Sequence, residues 1–175
     1  MRRRRGYSLV ELVFTLALVA LLSLLALPGL AQLVVHDRVA SATNRLQAEM
    51  NRARYDAIMR SRYVSLCGSS DSEHCHGSPD WSQGTITFVD RDSDGDRDAD
   101  ELLISVLQST DLHGLHVASS VGRPVLSFRP DGRTAGTNLS LQVCNREHQT
   151  LRRIIVNISG RNRTEPVQTA TICPF

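Results

Sequence analysis

Two groups of residues have the types and spacing to do chemistry. Near the C-terminus, Gly160, Arg161, Asn162 and Arg163 follow the strand-like positions Ile154, Val156 and Ile158. If this segment is extended, the Arg161 and Arg163 side chains leave one face about 6.6 Å apart, twice the rise per strand residue. That separation is comparable to the spacing of neighbouring phosphates, whose oxygens a guanidinium fork grips bidentately. Asn162 would add a hydrogen bond, Gly160 would let the backbone approach, and Arg152 and Arg153 would extend the patch. Such a surface would hold a polyanion without reading its sequence and would be steeply salt-sensitive. The plainer reading of two arginines in a loop is a solvated turn.

The second group is acidic. Asp90, Asp92, Asp94, Gly95, Asp96, Asp98 and Glu101 satisfy the EF-hand loop pattern. In that pattern oxygen ligands recur at alternate positions, a glycine makes the sharp turn and the last Glu binds calcium bidentately. The flanking segments read as strands rather than helices, and Arg97 stands where EF-hands carry an apolar residue. Calcium held by these six carboxylates is therefore set against a solvated loop closing a β-hairpin. No other cofactor is expected. Cys67, His74, Cys75 and His76 could be read as a zinc cluster, but a disulfide is expected instead. No Ser/His/Asp or Cys/His spacing suggests a catalytic site, and no enzymatic activity is expected.

These groups must be positioned by elements of a 175-residue chain, enough for one globular unit with a core. Four cysteines suit a secreted domain with two bridges. Three pairings are open, and local pairing favours Cys67 with Cys75 and Cys144 with Cys173. All 20 basic residues are arginine, and four of them form a leader, Arg2 to Arg5. Without the leader, 16 basic groups face 18 acidic ones, so any polyanion binding must come from a local patch.

From Leu9 to Val35 the chain is almost wholly apolar, covering the roughly 20 residues of a membrane-spanning helix. The run is too long for the core of a cleaved secretory signal, and the plausible cut lies before it, after Gly6. The basic leader would first hold the N-terminus in the cytoplasm. Glu11 lies inside the apolar run, where a carboxylate costs about 2.5–3.5 kcal/mol on insertion scales and needs a partner. Cleavage after Gly6 would free an amine on Tyr7, four positions away. Within one chain or between subunits, that amine and Glu11 could neutralise each other and set helix register. Residues 1–6 are thus expected as a leader, 7–35 as a membrane and filament-core helix, and 36–175 as the globular domain.

Beyond Val35 the helix is expected to continue to about Arg60, giving roughly 80 Å from Tyr7. Val39, Ala42, Leu46, Met50, Ala53 and Ala57 form one apolar stripe that can pack on a sheet. Strands are expected at 63–67, 84–89, 102–107, 113–118, 124–129, 138–143 and 151–159, with a turn at Pro130, Asp131 and Gly132. The fold class is α+β: a long N-terminal hydrophobic helix packed on antiparallel β-sheet.

The leader, Gly6, Tyr7, Ser8, Leu9, Val10, Glu11, Leu12 and the run after them resemble the signal of type IV pilins and type II secretion pseudopilins. That resemblance implies the type IV pilin fold, cleavage by prepilin peptidase after Gly6 and N-methylation of Tyr7, where the family usually has Phe. Pro28 and Gly29 fall where related helices are often kinked or melted. The Cys67 to Trp81 region, the Thr87 to Leu103 hairpin and Gly160 to Arg163 together resemble the FimT/GspH family of minor pilins, FimT most. The Gly-Arg-x-Arg segment implies binding of double-stranded DNA for uptake in natural transformation. Partners would be other pilins and minor pilins in a filament. The location would be the bacterial inner membrane, single-pass, and then a pilus in the periplasm and at the cell surface. Two alternatives stand beside it: a pilus-priming subunit without DNA binding, and a GspH-like minor pseudopilin of type II secretion.

Overall fold

The computed structural model describes residues 8–145, 149–167 and 173; the side chains of residues 24–32 lie outside that description. Helix α1 (Leu9–Arg60) is followed by strands β1 (Tyr63–Gly68), β2 (Gly84–Asp90), β3 (Leu103–Gln108), β4 (His116–Ser119), β5 (Val125–Phe128), β6 (Leu139–Cys144), β7 (Thr150–Val156) and β8 (Asn162–Pro166), with a short 3-10 helix at Ser109–Leu112. Two antiparallel sheets result, in the orders β3-β2-β1-β5 and β4-β6-β7-β8. The architecture is α+β, as expected.

The chain divides into two compact units, residues 1–37 and 38–175. In the first, α1 opens with Glu11 in its first turn, where a carboxylate complements the helix dipole. The carbonyl of Ser8 accepts the Leu12 N–H at 3.1 Å. Leu9, Val10, Phe14, Leu16 and Leu21 are exposed along it. Among the described residues no helix is long and apolar enough to cross a membrane. Where a kink or break was expected, α1 runs through Pro28 and Gly29 as one helical element.

In the second unit, the stripe Val39, Ala42, Leu46, Met50, Ala53 and Ala57 is buried. It shares one apolar cluster with Val64, Leu66, Leu126 and Phe128 of the first sheet and Leu139, Leu141, Ile154 and Val156 of the second. The three alanines leave little side chain between helix backbone and strands, while Leu46 and Met50 supply the larger fully buried side chains of the stripe. Burying each of those two stabilises the fold by about 1.5–3 kcal/mol. The other face of the first sheet is covered too: Cys67, Ile86 and Phe88 pack with Cys75, Leu103 and Val125. Cys67 is bridged to Cys75, and Cys144 to Cys173.

Three differences from the sequence reading are larger than a single residue at a strand end. The strand expected from residue 113 begins at His116, because the 3-10 turn ends in His113 and Gly114, both at positive φ (56° and 69°). The strand expected to run to residue 159 ends at Val156, where the chain reverses. Beyond that reversal lies β8, an edge strand that had not been anticipated.

Candidate functional site

The arginine segment lies on the hairpin joining β7 to β8, in which Val156 pairs with Asn162, Ile155 with Arg163 and Arg153 with Glu165. Asn157 organises the turn. Its Oδ1 accepts the Ser159 hydroxyl at 2.7 Å and the Arg161 N–H at 3.0 Å. Its carbonyl accepts the Gly160 N–H at 2.9 Å.

Gly160 is required here for a different reason from the one expected. It has φ +76° and is buried against the 130–133 turn, and a Cβ there would collide with the Gly132 carbonyl oxygen. Its own carbonyl accepts a hydrogen bond from Arg54 Nη1 of α1 at 3.2 Å. The Thr134 N–H donates to the Ile158 carbonyl at 3.0 Å, fixing the two turns side by side. Gly160 therefore serves packing inside the protein and offers no open backbone to a ligand.

Strand alternation sorts the polar residues by face. Asn162 lies opposite buried Val156, on the core face, and its Nδ2 donates to Asn51 Oδ1 of α1 at 2.9 Å. It is thus turned away from Arg163, which is exposed on the opposite face of β8, while Arg161 is exposed immediately before the strand. Arg152 and Arg153 likewise diverge: Arg152 shares the face of Ile154 and Val156, while Arg153 lies on the outward face with Ile155 and Arg163. Of the two, only Arg153 extends the patch. Arg163 Nε donates to Glu165 Oε1 at 2.8 Å in an exposed ion pair. Half-buried Arg153, paired in register with Glu165, has an Nε without a hydrogen-bond partner among the described residues. Sequence reasoning missed the helix residues Arg54 and Asn51, whose roles depend on contacts made across more than a hundred positions.

The other predicted residues are placed as follows. Gly6 and Tyr7 lie outside the described residues; Glu11 is exposed on α1. The bridge from Cys67 to Cys75 leaves no thiolate for zinc. His74 Nδ1 instead meets Asp71 Oδ2 at 2.8 Å. The His74 backbone N–H, the largest influence, holds the Asp71 carboxyl well below the usual range, helped by that ring and the Glu73 N–H. In the acidic turn, carboxylate oxygens of Asp90, Asp92 and Asp94 converge, whereas Asp96, Asp98 and Glu101 do not join them.

The family model described as Type II transport protein GspH matches residues 42–160, more than half of the chain. The chain belongs to the GspH family. A second model, the prokaryotic N-terminal methylation motif, matches residues 1–27 of this GspH-family protein. No curated relative matches it in sequence. Among solved structures, the type IV minor pilin FimU of Pseudomonas aeruginosa is similar in two crystal forms. One has a TM-score of 0.62 at 20% identity, covering 79% of this chain and 97% of FimU. The other has a TM-score of 0.59 at 20% identity, covering 77% and 99%. At that identity the likeness establishes the type IV pilin fold. The GspH-family protein is accordingly a minor pilin or pseudopilin, a subunit of a type IV pilus or of a type II secretion system.

Proposed function

We propose that this GspH-family protein is a minor pilin of a type IV pilus that binds double-stranded DNA without sequence preference during natural transformation. Arg161 and Arg163 would make the phosphate contacts and Arg153 would flank them. The observation that carries this reading is the hairpin's geometry. Arg163 is exposed on the outward face of β8, Arg161 is exposed immediately before that strand, and the residue between them is tied to α1 through Asn51. Neighbouring Gly160 is held by Arg54. A site held this way loses little conformational freedom on binding. The exposed ion pair from Arg163 to Glu165 contributes little to stability, so a phosphate can displace the carboxylate.

In the same reading residues 1–6 are a leader cut by prepilin peptidase after Gly6, and Tyr7 is N-methylated. Residues 7–35 sit in the inner membrane before assembly and in the filament core, among other pilins, afterwards. Residues 36–175 form the domain presented at the cell surface. Glu11 and the amine freed on Tyr7 would neutralise each other. The exposed apolar side chains of α1 are what such a helix needs to pack against lipid and then against neighbouring helices.

Gel shift of the processed protein in detergent tests the DNA reading. Wild type should retard duplexes of unrelated sequence at low salt, and Arg161→Ala with Arg163→Ala should not. Absence of a shift in wild type would remove it. The description of the matched family as a type II transport protein favours a second reading, a minor pseudopilin of type II secretion. Under that reading, deletion would abolish export of secreted enzymes and leave transformation untouched.

A further inference from the structure

The turn between β2 and β3 holds a buried carboxylate whose charge is not fully compensated. Asp90 ends β2 and is 1% exposed. Its Oδ2 accepts the Ser65 hydroxyl at 2.6 Å and the Gly95 N–H at 3.2 Å. Its Oδ1 is buried with no hydrogen-bond partner among the described residues. The Ser65 hydroxyl and the N–H groups of Ser93 and Gly95 offset only part of the cost of burying this carboxylate.

The two arginines of the turn do not answer the deficit. Arg91 Nη1 goes to Asp100 at 3.2 Å, and Arg97 donates to the carbonyls of Glu73 and Glu101 at 3.0 and 3.2 Å. Instead, more negative charge gathers. Oxygens of Asp90, Asp92 and Asp94 lie within 4.8 Å of one another. Three like charges so close, one of them buried, repel strongly unless a cation sits between them.

From this juxtaposition of an unpartnered buried carboxylate oxygen with two exposed carboxylates, we infer that the β2–β3 turn binds a calcium ion through Asp90, Asp92 and Asp94. The donors are all oxygen, the chemistry of a hard divalent cation. Magnesium demands near-ideal octahedral geometry and sheds its waters reluctantly, so a turn with two exposed carboxylates suits the more adaptable coordination of calcium. Asp92 and Asp94 each direct an oxygen to a backbone N–H two residues on, at 3.4 and 2.8 Å, which leaves the other oxygen of each for an ion.

The ligand set is half of the six carboxylates of the EF-hand pattern. Glu101, the bidentate ligand of that pattern, is occupied otherwise: Oε1 accepts the Arg91 N–H at 2.6 Å and Oε2 the Asp98 N–H at 3.2 Å. It closes the turn as an internal clasp. With three carboxylates instead of the full set, the affinity belongs with weak extracellular modules, a Kd of about 10⁻⁴–10⁻³ M. The turn also rests against the bridged loop, the Cys75 sulfur lying 3.6 Å from the Gly95 carbonyl oxygen. An ion would therefore stiffen both.

The test is calorimetric titration of the full chain in detergent, stripped with chelator, using calcium alone and magnesium alone. One calcium per chain in that affinity range is expected, with a raised unfolding temperature and at least tenfold weaker magnesium binding. Because Asp92 and Asp94 are exposed, Asp92→Asn with Asp94→Asn should fold as wild type does and lose the calcium heat. No heat in wild type at concentrations well above the range, or equal binding by the double variant, would overturn the assignment.

Discussion

Asn162 donates from Nδ2 to Oδ1 of Asn51 at 2.9 Å, joining β8 to α1 across 111 positions of the chain. The register against β7 sets Asn162 opposite buried Val156, and this bond holds it there. With Asn162 on the inner face, strand alternation sends Arg163 outward, and Arg161 is exposed immediately before the strand.

Removing either amide should therefore loosen the edge strand. Asn162→Ala and Asn51→Ala are each expected to cost about 0.5–1.5 kcal/mol in urea unfolding. The double variant should cost little more than either single one, since one bond is shared. Fully additive losses would show that the two residues act independently.

Gly160→Ala should be more severe than any single arginine substitution in the hairpin. A left-handed backbone costs a non-glycine residue about 1–2 kcal/mol, and the added methyl must displace the Gly132 carbonyl. A lowered melting temperature is expected by thermal unfolding. An unchanged one would mean that the two turns do not touch in solution.

Much of the fold was legible because its signals are local. The stripe from Val39 to Ala57 repeats at helical spacing, and all six members are buried. In the strand from Gly84, Ile86 and Phe88 alternate with Thr85 and Thr87, and each cysteine bridges its nearer partner in sequence. β8 was missed because Asn162, Arg163, Thr164, Glu165 and Pro166 carry no apolar alternation. As an edge strand it has one neighbour, and Pro166 at its end is tolerated there. The arginines were legible as residue types, but their faces depend on the register against β7. Gly160 was read as an opening for a ligand because its actual neighbours, Gly132 and Arg54, are remote in sequence.

The face assignment separates two adjacent arginines. Arg153→Ala should weaken DNA binding severalfold, whereas Arg152→Ala, on the opposite face, should leave it within about twofold. Fluorescence anisotropy with a labelled duplex reads both. Equal losses would place the interface elsewhere.

Glu165 competes with phosphate for Arg163. Glu165→Gln removes one negative charge from the patch and frees the fork, so affinity for duplex should rise severalfold at low salt while stability changes by less than about 1 kcal/mol. A fall in affinity would show that the carboxylate positions Arg163 for binding instead of occupying it.

The most direct measurement is the salt dependence of duplex binding by the processed protein and by Arg161→Ala with Arg163→Ala. Each phosphate contact contributes about 0.9 to the slope of log K against log salt concentration. Loss of both arginines should therefore flatten the slope by about 2 and weaken binding at every salt concentration. An identical slope and affinity in the two proteins would contradict the assignment of DNA contacts to this hairpin.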